Sequence, residues 1–195
     1  MVRSVDDILQ REFGRSLGHK DVHILDPFVG TGNFIMRIMR QIPKTQLPHK
    51  YARELHCNEV MLLPYYIAAM NIEHEYMTLT GEYKPFEGIC LVDTFQLAEP
   101  AEQVQFTFMT EENTERVEEQ KKAPIFVILG NPPYNAWQVN ENDNNKNRKY
   151  KTMDKGVATT YAKDSIASNK SALCDVYVKA IRWASNRIGD EGIVA

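Results

Sequence analysis

The tetrapeptide Asn131-Pro132-Pro133-Tyr134 combines groups that could act on a flat ring bearing an amino group. It offers such a ring an amide oxygen from Asn131, a backbone carbonyl freed by proline, and the aromatic face of Tyr134. Two adjacent prolines cannot continue a strand or begin a regular helix, so the chain must leave the preceding apolar run, 125–129, in a stiff extended turn. The alternative is a proline-rich strand exit in which Tyr134 is incidental.

A glycine-rich motif, Asp26-Pro27-Phe28-Val29-Gly30-Thr31-Gly32, follows the apolar run 22–25 and opens a helix-like stretch. Gly30 and Gly32 permit a tight turn and a close approach of the backbone to a ligand. Ile35 stands where a GxGxxG pattern would have its third glycine, which favours a small nucleoside ligand over a dinucleotide. Asp26 could accept hydrogen bonds from an ammonium group of that ligand. Glycine turns between a strand and a helix also occur without any ligand.

Acidic residues follow the next two apolar runs in the same way, Glu59 after 55–57 and Asp93 after 89–92. A carboxylate after the second strand can hold both hydroxyls of a ribose. Asp93 is placed to accept a hydrogen bond from the exocyclic amine of an adenine, and Phe95 could pack against the ring. Each acid alone could simply cap the following helix. Three acids after three successive strands indicate an adenosine-like cofactor at the edge of the sheet.

The elements that must position these motifs alternate between short apolar runs and helix-like stretches. This βαβα order predicts a doubly wound, mostly parallel α/β sheet. Helices are expected at 34–39, at 61–72, at 172–188 with Ser171 as its cap and Gly189 at its end, and before the first strand through Val5, Ile8, Leu9 and Phe13. Residues 192–195 predict a fifth strand that stops as it begins. We therefore expect residues 1–195 to be one domain, truncated at that strand, of a longer protein.

Two segments lack a clear pattern. Residues 98–122 are acidic and helix-like only near their end, and residues 135–168 are rich in Asn and Lys and long for a loop. From 146 to 170, seven Lys and Arg residues stand against two Asp residues, a local charge of +5. We expect 135–170 to be a mobile, locally basic loop that could meet nucleic-acid phosphate. The alternative is a solvated loop whose lysines have no partner.

Composition narrows the function classes. The chain has 195 residues, 43% of them hydrophobic, and a net charge of −3, so any nucleic-acid binding must come from a local patch. No apolar stretch could span a bilayer and the amino terminus lacks a signal peptide's apolar core, which predicts a cytoplasmic protein. Cys57, Cys90 and Cys174 form no CxxC pair, which argues against a zinc site or a disulfide framework, and we expect no metal.

The two motifs, 26–32 and 131–134, stand in this order and are separated by three strand-helix units. Together they resemble the S-adenosylmethionine-dependent amino-methyltransferases of the DNA adenine-N6 type. Residues 58–73 and 180–185 look more narrowly like the methyltransferase core of single-polypeptide type ISP restriction-modification enzymes, which also carry helicase and nuclease modules. The resemblance implies a Rossmann-like methyltransferase fold, S-adenosylmethionine as cofactor, and double-stranded DNA with a flipped adenine as substrate.

The resemblance also implies a role for each motif residue. The cofactor would be held by Asp26, Gly30 and Gly32 at its methionine end, by Glu59 at the ribose, and by Asp93 at the adenine amine, with Phe28 and Phe95 as further cofactor-binding residues. The target would be held by Asn131, Pro132, Pro133 and Tyr134, with Tyr134 stacking on the base. Target-recognition, helicase and nuclease modules are expected elsewhere in the full-length protein. Between Met1 and Asp21 the chain lacks the aromatic-x-x-Pro motif that such enzymes usually carry.

Three alternatives remain. Asn-Pro-Pro-Tyr also serves enzymes that methylate a glutamine amide in proteins, and some RNA adenine enzymes, but these usually lack long insertions such as 135–168. An NAD-dependent oxidoreductase on a doubly wound sheet would leave the Pro-Pro turn unexplained. A non-catalytic scaffold is disfavoured by the intact Asn131 and Tyr134. The sequence therefore favours a DNA substrate.

Overall fold

The computed structural model describes residues 1–100, 110–133, 150–163, 165–166, 173 and 175–195. Tyr134, Ser171 and Cys174 lie outside these residues. The chain divides into two compact units: unit 1 is Met1–Thr94, Phe106–Asn131 and Ile188–Ala195, and unit 2 is Phe95–Gln105 and Pro132–Arg187. One of the boundaries between the units therefore falls inside the Asn131-Pro132-Pro133-Tyr134 motif.

Unit 1 is built on a five-stranded sheet with the order β3-β2-β1-β4-β5. Its strands are β1 (His23–Asp26), β2 (Leu55–Glu59), β3 (Ile89–Leu91), β4 (Ile125–Ile128) and β5 (Ile193–Val194). All neighbouring strands are parallel, with Asp26 opposite Cys57 and Glu59 opposite Leu91. The predicted doubly wound α/β sheet is confirmed, including its fifth strand.

The helices are α1 (Val2–Phe13), α2 (Asn33–Gln41), α3 (Leu47–Arg53), α4 (Leu62–Thr80), α5 (Glu111–Lys122), α6 (Lys151–Thr159) and α7 (Val176–Ile188). The four predicted helices are present as α1, α2, α4 and α7. α4 runs eight residues beyond its predicted end at 72, because residues 73–80 are mostly polar and carry little apolar signal. α7 begins at Val176, and Gly189 follows it with φ +77°, a left-handed conformation that suits the predicted helix end.

The expectation of a loop over 135–170 is wrong for residues 151–159, which form α6. Met153 and Val157 bury one side of this helix, while its outer side carries lysines and threonines that resemble loop composition. Residues 135–149, 164 and 167–170 lie outside the described part of the chain. The helical end expected for 98–122 is confirmed as α5, where Thr110 accepts a hydrogen bond from the Asn113 amide.

The core of unit 1 lies between the sheet and the helices packed against it. Ile24, Cys57 and Val127 of the strands are fully buried, together with Leu9 of α1, Ile35, Ile38 and Met39 of α2, and Ile72 of α4. Each large aliphatic side chain of this kind stabilises the fold by about 1.5 to 3 kcal/mol. Cys57 and Cys90 are buried free thiols. Among the residues that the structure describes, no helix has the length and apolar character needed to cross a membrane.

The helix α3 was not predicted from the sequence, and a buried ion pair fixes its C-terminal end. Lys50 Nζ lies 2.6 Å from Glu54 Oε2 and donates a hydrogen bond to the Val22 carbonyl just before β1. Glu54 Oε1 accepts hydrogen bonds from the Asp21 amide and from His49 Nε2. Burial by itself would raise the pKa of Glu54. Lys50 and the Asp21 amide lower this pKa by more than burial raises it, so the net shift is downward. A lysine normally indicates a surface position, and this one points into the fold.

Candidate functional site

The carboxyl end of β1 presents a buried, incompletely satisfied carboxylate. The Asp26 side chain has 0% exposure, and its Oδ1 accepts a hydrogen bond from the Phe28 amide at 3.1 Å. Its Oδ2 is buried and has no hydrogen-bond partner among the described residues. Burial raises the pKa of Asp26 to about 7, with the Phe28 amide opposing the shift and Glu59 adding to it. An oxygen in this state suits a cationic hydrogen-bond donor, because such a donor would both satisfy and neutralise it.

This burial predicts a pH-dependent cost to stability. Since the folded pKa of Asp26 lies above its ordinary value, the folded state must ionise a buried group as the pH rises toward 7, and stability is lost over that range. Asp26→Asn removes the ionisation. In urea unfolding, we expect the free energy of unfolding of the variant, relative to the wild type, to rise by about 2 kcal/mol between pH 5 and pH 7.5.

The matched control is Asp7→Asn on α1, whose side chain is exposed. The same pH series on this variant controls for the loss of a carboxylate that the fold does not bury. A difference for Asp26→Asn that stays constant with pH would contradict the buried-carboxylate interpretation.

The glycine turn after Asp26 has the backbone that its sequence predicts. Gly30 has φ +54° and Gly32 has φ +90°, both left-handed. A Cβ on Gly30 would meet no atom within 4 Å, whereas one on Gly32 would lie 3.2 Å from Ile72 Cγ1 and 3.4 Å from the Ala68 carbonyl. The two glycines therefore have different roles. Gly32 lets α2 begin against α4, and Gly30 leaves open space beside the backbone.

Glu59 joins this turn to the end of β2. Its Oε2 accepts a hydrogen bond from the Gly30 amide at 3.0 Å, and its Oε1 accepts from the amides of Val60 and Met61 at 2.9 Å. The carboxylate thus holds the backbone just before α4, which is close to the capping alternative that its position suggested. It is also half-buried beside the open space at Gly30, so a role toward a ligand hydroxyl is compatible with this position.

A chain of buried hydrogen bonds, not foreseen in the sequence, holds the three strand ends together. Asn58 Nδ2 donates to Thr94 Oγ1, and Thr94 Oγ1 donates to the Pro27 carbonyl at 2.6 Å. Asn58 Oδ1 is buried and without a partner in the described part of the chain. Asn58 stands directly before Glu59 in the sequence, and Thr94 stands directly after Asp93. This position next to a predicted acid is the sequence feature that could have identified Asn58 and Thr94 as site residues.

Asp93 lies two residues beyond β3 and is half-buried. Thr94 is the last residue of this part of unit 1, and Phe95 belongs to unit 2. The Phe95 side chain is 4% exposed, and its ring centroid lies 5.1 Å from that of Tyr150 at an interplanar angle of 53°. The contact with Tyr150 was not anticipated. The contact of Phe95 with an adenine stays a prediction.

Gly130 brings the end of β4 against the end of β1. A Cβ at Gly130 would lie 2.9 Å from Asp26 Oδ1 and 3.2 Å from Pro27 Cδ, so any larger residue would displace the Asp26 carboxylate or the Pro27 ring. The Leu129 amide donates to the Leu25 carbonyl in the same region. Asn131, exposed, follows directly. Gly130 is therefore a site residue that the sequence interpretation missed, although its place before the Asn-Pro-Pro motif was visible.

Unit 1 thus brings together most of the predicted residues at one edge of its sheet: Asp26, Phe28, Gly30, Gly32, Glu59, Asp93 and Asn131. Pro132 is half-buried and Pro133 is exposed, and both belong to unit 2. Tyr134 lies outside the described residues. Within the described ranges, no three His, Cys, Asp or Glu side chains are grouped so that they could hold a metal ion.

The model of one protein family, N-6 DNA Methylase, matches residues 14–167, which include β1 to β4 and both motifs. The chain belongs to the N-6 DNA methylase family. This methylase chain is similar to segments of three solved structures: a DrdV–DNA complex, the ATP-dependent type ISP restriction-modification enzyme LlaBIII bound to DNA, and a nuclease-deletion mutant of the type ISP enzyme LlaGI with a DNA substrate mimic. The resemblance to type ISP enzymes is confirmed.

The three similarities are of nearly equal strength. Sequence identity is 46% to DrdV, 44% to LlaBIII and 46% to LlaGI, with TM-scores of 0.91, 0.90 and 0.90 and 99% of this methylase chain covered each time. The chain spans only 19%, 14% and 17% of the length of those three proteins. No curated protein sequence gives a significant match.

Proposed function

We propose that this chain is the catalytic core of a type ISP restriction-modification enzyme that methylates the N6 amine of adenine in DNA, with S-adenosylmethionine as methyl donor. One observation carries the proposal. The buried carboxylate of Asp26, one oxygen of which has no hydrogen-bond partner among the described residues, lies beside the strand end that leads through Gly130 to Asn131. A candidate cation-binding group and a candidate amine-binding group therefore share one edge of a sheet in an N-6 DNA methylase.

The cofactor half of the site fits the chemistry of S-adenosylmethionine. Asp26 Oδ2 would accept from the ammonium, and the open space at Gly30 admits a ligand close to the backbone. Glu59 would hold the ribose hydroxyls and Asp93 the adenine amine, with Phe28 and Phe95 as apolar neighbours. Oε1 already accepts the amides of Val60 and Met61 and Oε2 accepts that of Gly30, so Oε2 keeps one lone pair for a ribose hydroxyl. The bound cofactor would supply an electrophilic methyl group on a sulfonium.

The target half must make a poor nucleophile react. The lone pair of an adenine amine is delocalised into the ring, so the nitrogen is planar and weakly nucleophilic. Asn131 Oδ1 and the Pro132 carbonyl would accept its two hydrogens, which favours a tetrahedral nitrogen whose lone pair points at the methyl group. Positioning and preorganised dipoles of this kind need no general base at the start of the reaction.

The target adenine must leave the duplex before it can reach this half-site. Tyr134 would stack on the flipped base, a contact typically worth about 1 to 3 kcal/mol, and so offset part of the lost stacking in DNA. Pro133 would keep the tetrapeptide extended between the amine-binding group and the stacking ring.

DNA is favoured over protein glutamine or RNA because the structures of LlaBIII and LlaGI hold DNA or a DNA mimic. Target recognition, DNA translocation and cleavage are assigned to other modules of the complete protein, since this chain spans less than a fifth of those relatives. We also propose a cytoplasmic location, where its DNA substrate lies.

Calorimetry on the complete protein tests the cofactor assignment. S-adenosylhomocysteine, the demethylated product, should bind and NAD should not. Because the ammonium of S-adenosylhomocysteine requires ionised Asp26, whose pKa is about 7, the affinity of the protein for this ligand should be about tenfold higher at pH 8 than at pH 6. Asp26→Asn should weaken binding and remove the pH dependence. Mass spectrometry of duplex DNA incubated with S-adenosylmethionine should then detect N6-methyladenine. Binding of NAD instead, or methylation confined to RNA or protein glutamine, would refute the proposal.

A further inference from the structure

The segment that follows β3 is attached to the start of α6 within unit 2. The Glu99 carboxylate accepts four hydrogen bonds there: two from the Thr152 amide at 2.9 and 3.0 Å, one from Thr152 Oγ1 at 3.0 Å, and one from the Met153 amide at 3.3 Å. Phe95, four residues earlier, packs its ring on Tyr150. Two side chains of one short segment thus hold the first turn of α6.

α6 depends on such contacts because its own sequence stabilises it weakly. The helix has nine residues, includes Gly156, and is preceded by Tyr150, which provides no side-chain cap. Helices this short are marginal in isolation, and the amides of a first turn need acceptors from elsewhere. A carboxylate at a helix N-terminus also interacts favourably with the helix dipole. Glu99 therefore caps the first turn of α6 from a distant position in the chain.

The exposed side of α6 is suited to a polyanion. It presents Lys151 and Lys155, one helical turn apart, together with Thr152, Ala158 and Thr159. The acid of the helix, Asp154, instead pairs with Lys179 of α7 at 2.7 Å. α5 has the opposite character, with Glu111, Glu112, Glu115, Glu118 and Glu119 all exposed. Of these two helices, only α6 would attract a phosphate backbone.

We propose that Glu99 is a positioning residue that holds the first turn of α6, so that Lys151 and Lys155 contact phosphates of the DNA substrate. The proposal rests on the proposed function, because it takes DNA as the substrate. Phosphate contacts fix the register of a protein on DNA, and a lysine contributes most when its backbone is already in place. The carboxylate acts through α6, and no contact of Glu99 with DNA is involved.

The test compares DNA binding by variants of the complete protein, measured by fluorescence anisotropy on a duplex over a series of salt concentrations. Lys151→Gln with Lys155→Gln should reduce the slope of log K against log salt by about 2, one for each phosphate that a lysine no longer neutralises. Lys122→Gln on α5 is the matched control, and it should leave the slope unchanged.

Glu99→Ala gives the sharper result. Removing an acid normally strengthens binding to a polyanion, yet we expect this variant to bind DNA about three- to tenfold more weakly, with a reduced salt slope, because both lysines depend on the register of α6 to reach phosphate. KM for DNA should rise by a similar factor while kcat changes little, and Glu99→Gln, which keeps one acceptor oxygen, should recover part of the affinity. Glu118→Ala, which removes an exposed acid from α5, should leave DNA binding unchanged or strengthen it.

Unchanged or tighter DNA binding by Glu99→Ala, or an unchanged slope for the double lysine variant, would overturn the inference. The lysine variants retain the hydrogen bonds of Glu99 to Thr152 and Met153, so they test the phosphate contacts even if Glu99→Ala proves unstable. S-adenosylhomocysteine binding should persist in all variants. Its absence from the wild-type protein would instead refute the proposed function, which keeps the two failures distinguishable.

Discussion

Asn131→Ala should slow methyl transfer by about a hundredfold to a thousandfold, an effect comparable to the removal of one preorganised donor or acceptor at a reacting centre. The variant lacks the amide oxygen assigned to the target amine and keeps the strand exit that Gly130 allows. Affinity for S-adenosylhomocysteine should stay within about twofold of the wild type, because the proposal assigns no cofactor contact to Asn131. Single-turnover methylation of duplex DNA measures the first quantity, and calorimetry the second.

Asn186→Ala is the control for this prediction. Asn186 is an exposed residue of α7, outside the proposed machinery, and its substitution removes the same side-chain amide. Methylation by the control should match the wild type. If Asn131→Ala retained wild-type turnover, or if its turnover fell only in proportion to its cofactor affinity, the assignment of Asn131 to the target amine would be wrong.

Glu54→Gln should lower the free energy of unfolding by about 3 kcal/mol, which corresponds to about 6 to 12 °C in Tm for a chain of this size. Lys50 and Glu54 are 0% and 2% exposed, so the variant leaves the Lys50 ammonium buried without its counter-charge. Hydrogen bonds from Asp21 and His49 to the same carboxylate would also weaken. Urea unfolding followed by circular dichroism measures the destabilisation.

Two further variants isolate the cause. Lys50→Met in the Glu54→Gln background removes the stranded charge and should recover part of the stability. Glu118→Gln breaks the exposed ion pair with Lys121 and should cost less than about 1 kcal/mol. Lys50→Met alone completes the cycle, and a double variant whose destabilisation equals the sum of the two single effects would argue against a coupled buried pair.

Much of the fold could be predicted because its signals are local. Apolar runs at 22–25, 55–57, 89–92 and 125–129 each became a parallel strand, and the motif acids lie at or just after the strand ends: Asp26 ends β1, Glu59 ends β2 and Asp93 lies two residues beyond β3. The failures have physical causes that a local pattern does not contain. Lys50 in α3 resembles a surface residue until Glu54 and Val22 enclose it, and the polar outer side of α6 resembles a loop until Met153 and Val157 are buried.

For the candidate site, too, some properties follow from the sequence and others only from tertiary contacts. The residue types needed to bind an adenosine-like cofactor and an aromatic amine stand next to their strands in the chain. The order of amino acids was therefore enough to specify which groups are present, in what succession, and at which edge of the sheet. The burial, pKa and hydrogen bonding of these groups arise from contacts between residues far apart in the chain, and no local pattern specifies such contacts.

Asp26 is buried beside Gly130, its pKa is raised by the desolvation that follows, and Glu59 is bonded to Gly30. The same holds for Glu99, an ordinary acid in the sequence that becomes the cap of α6 only when two distant segments pack together. The Asn131-Pro132-Pro133 turn was therefore predictable as chemistry. Its position beside a buried carboxylate was not, because that position depends on the pairing of β1 with β4 and on the close packing of Gly130 against Asp26 in the folded chain.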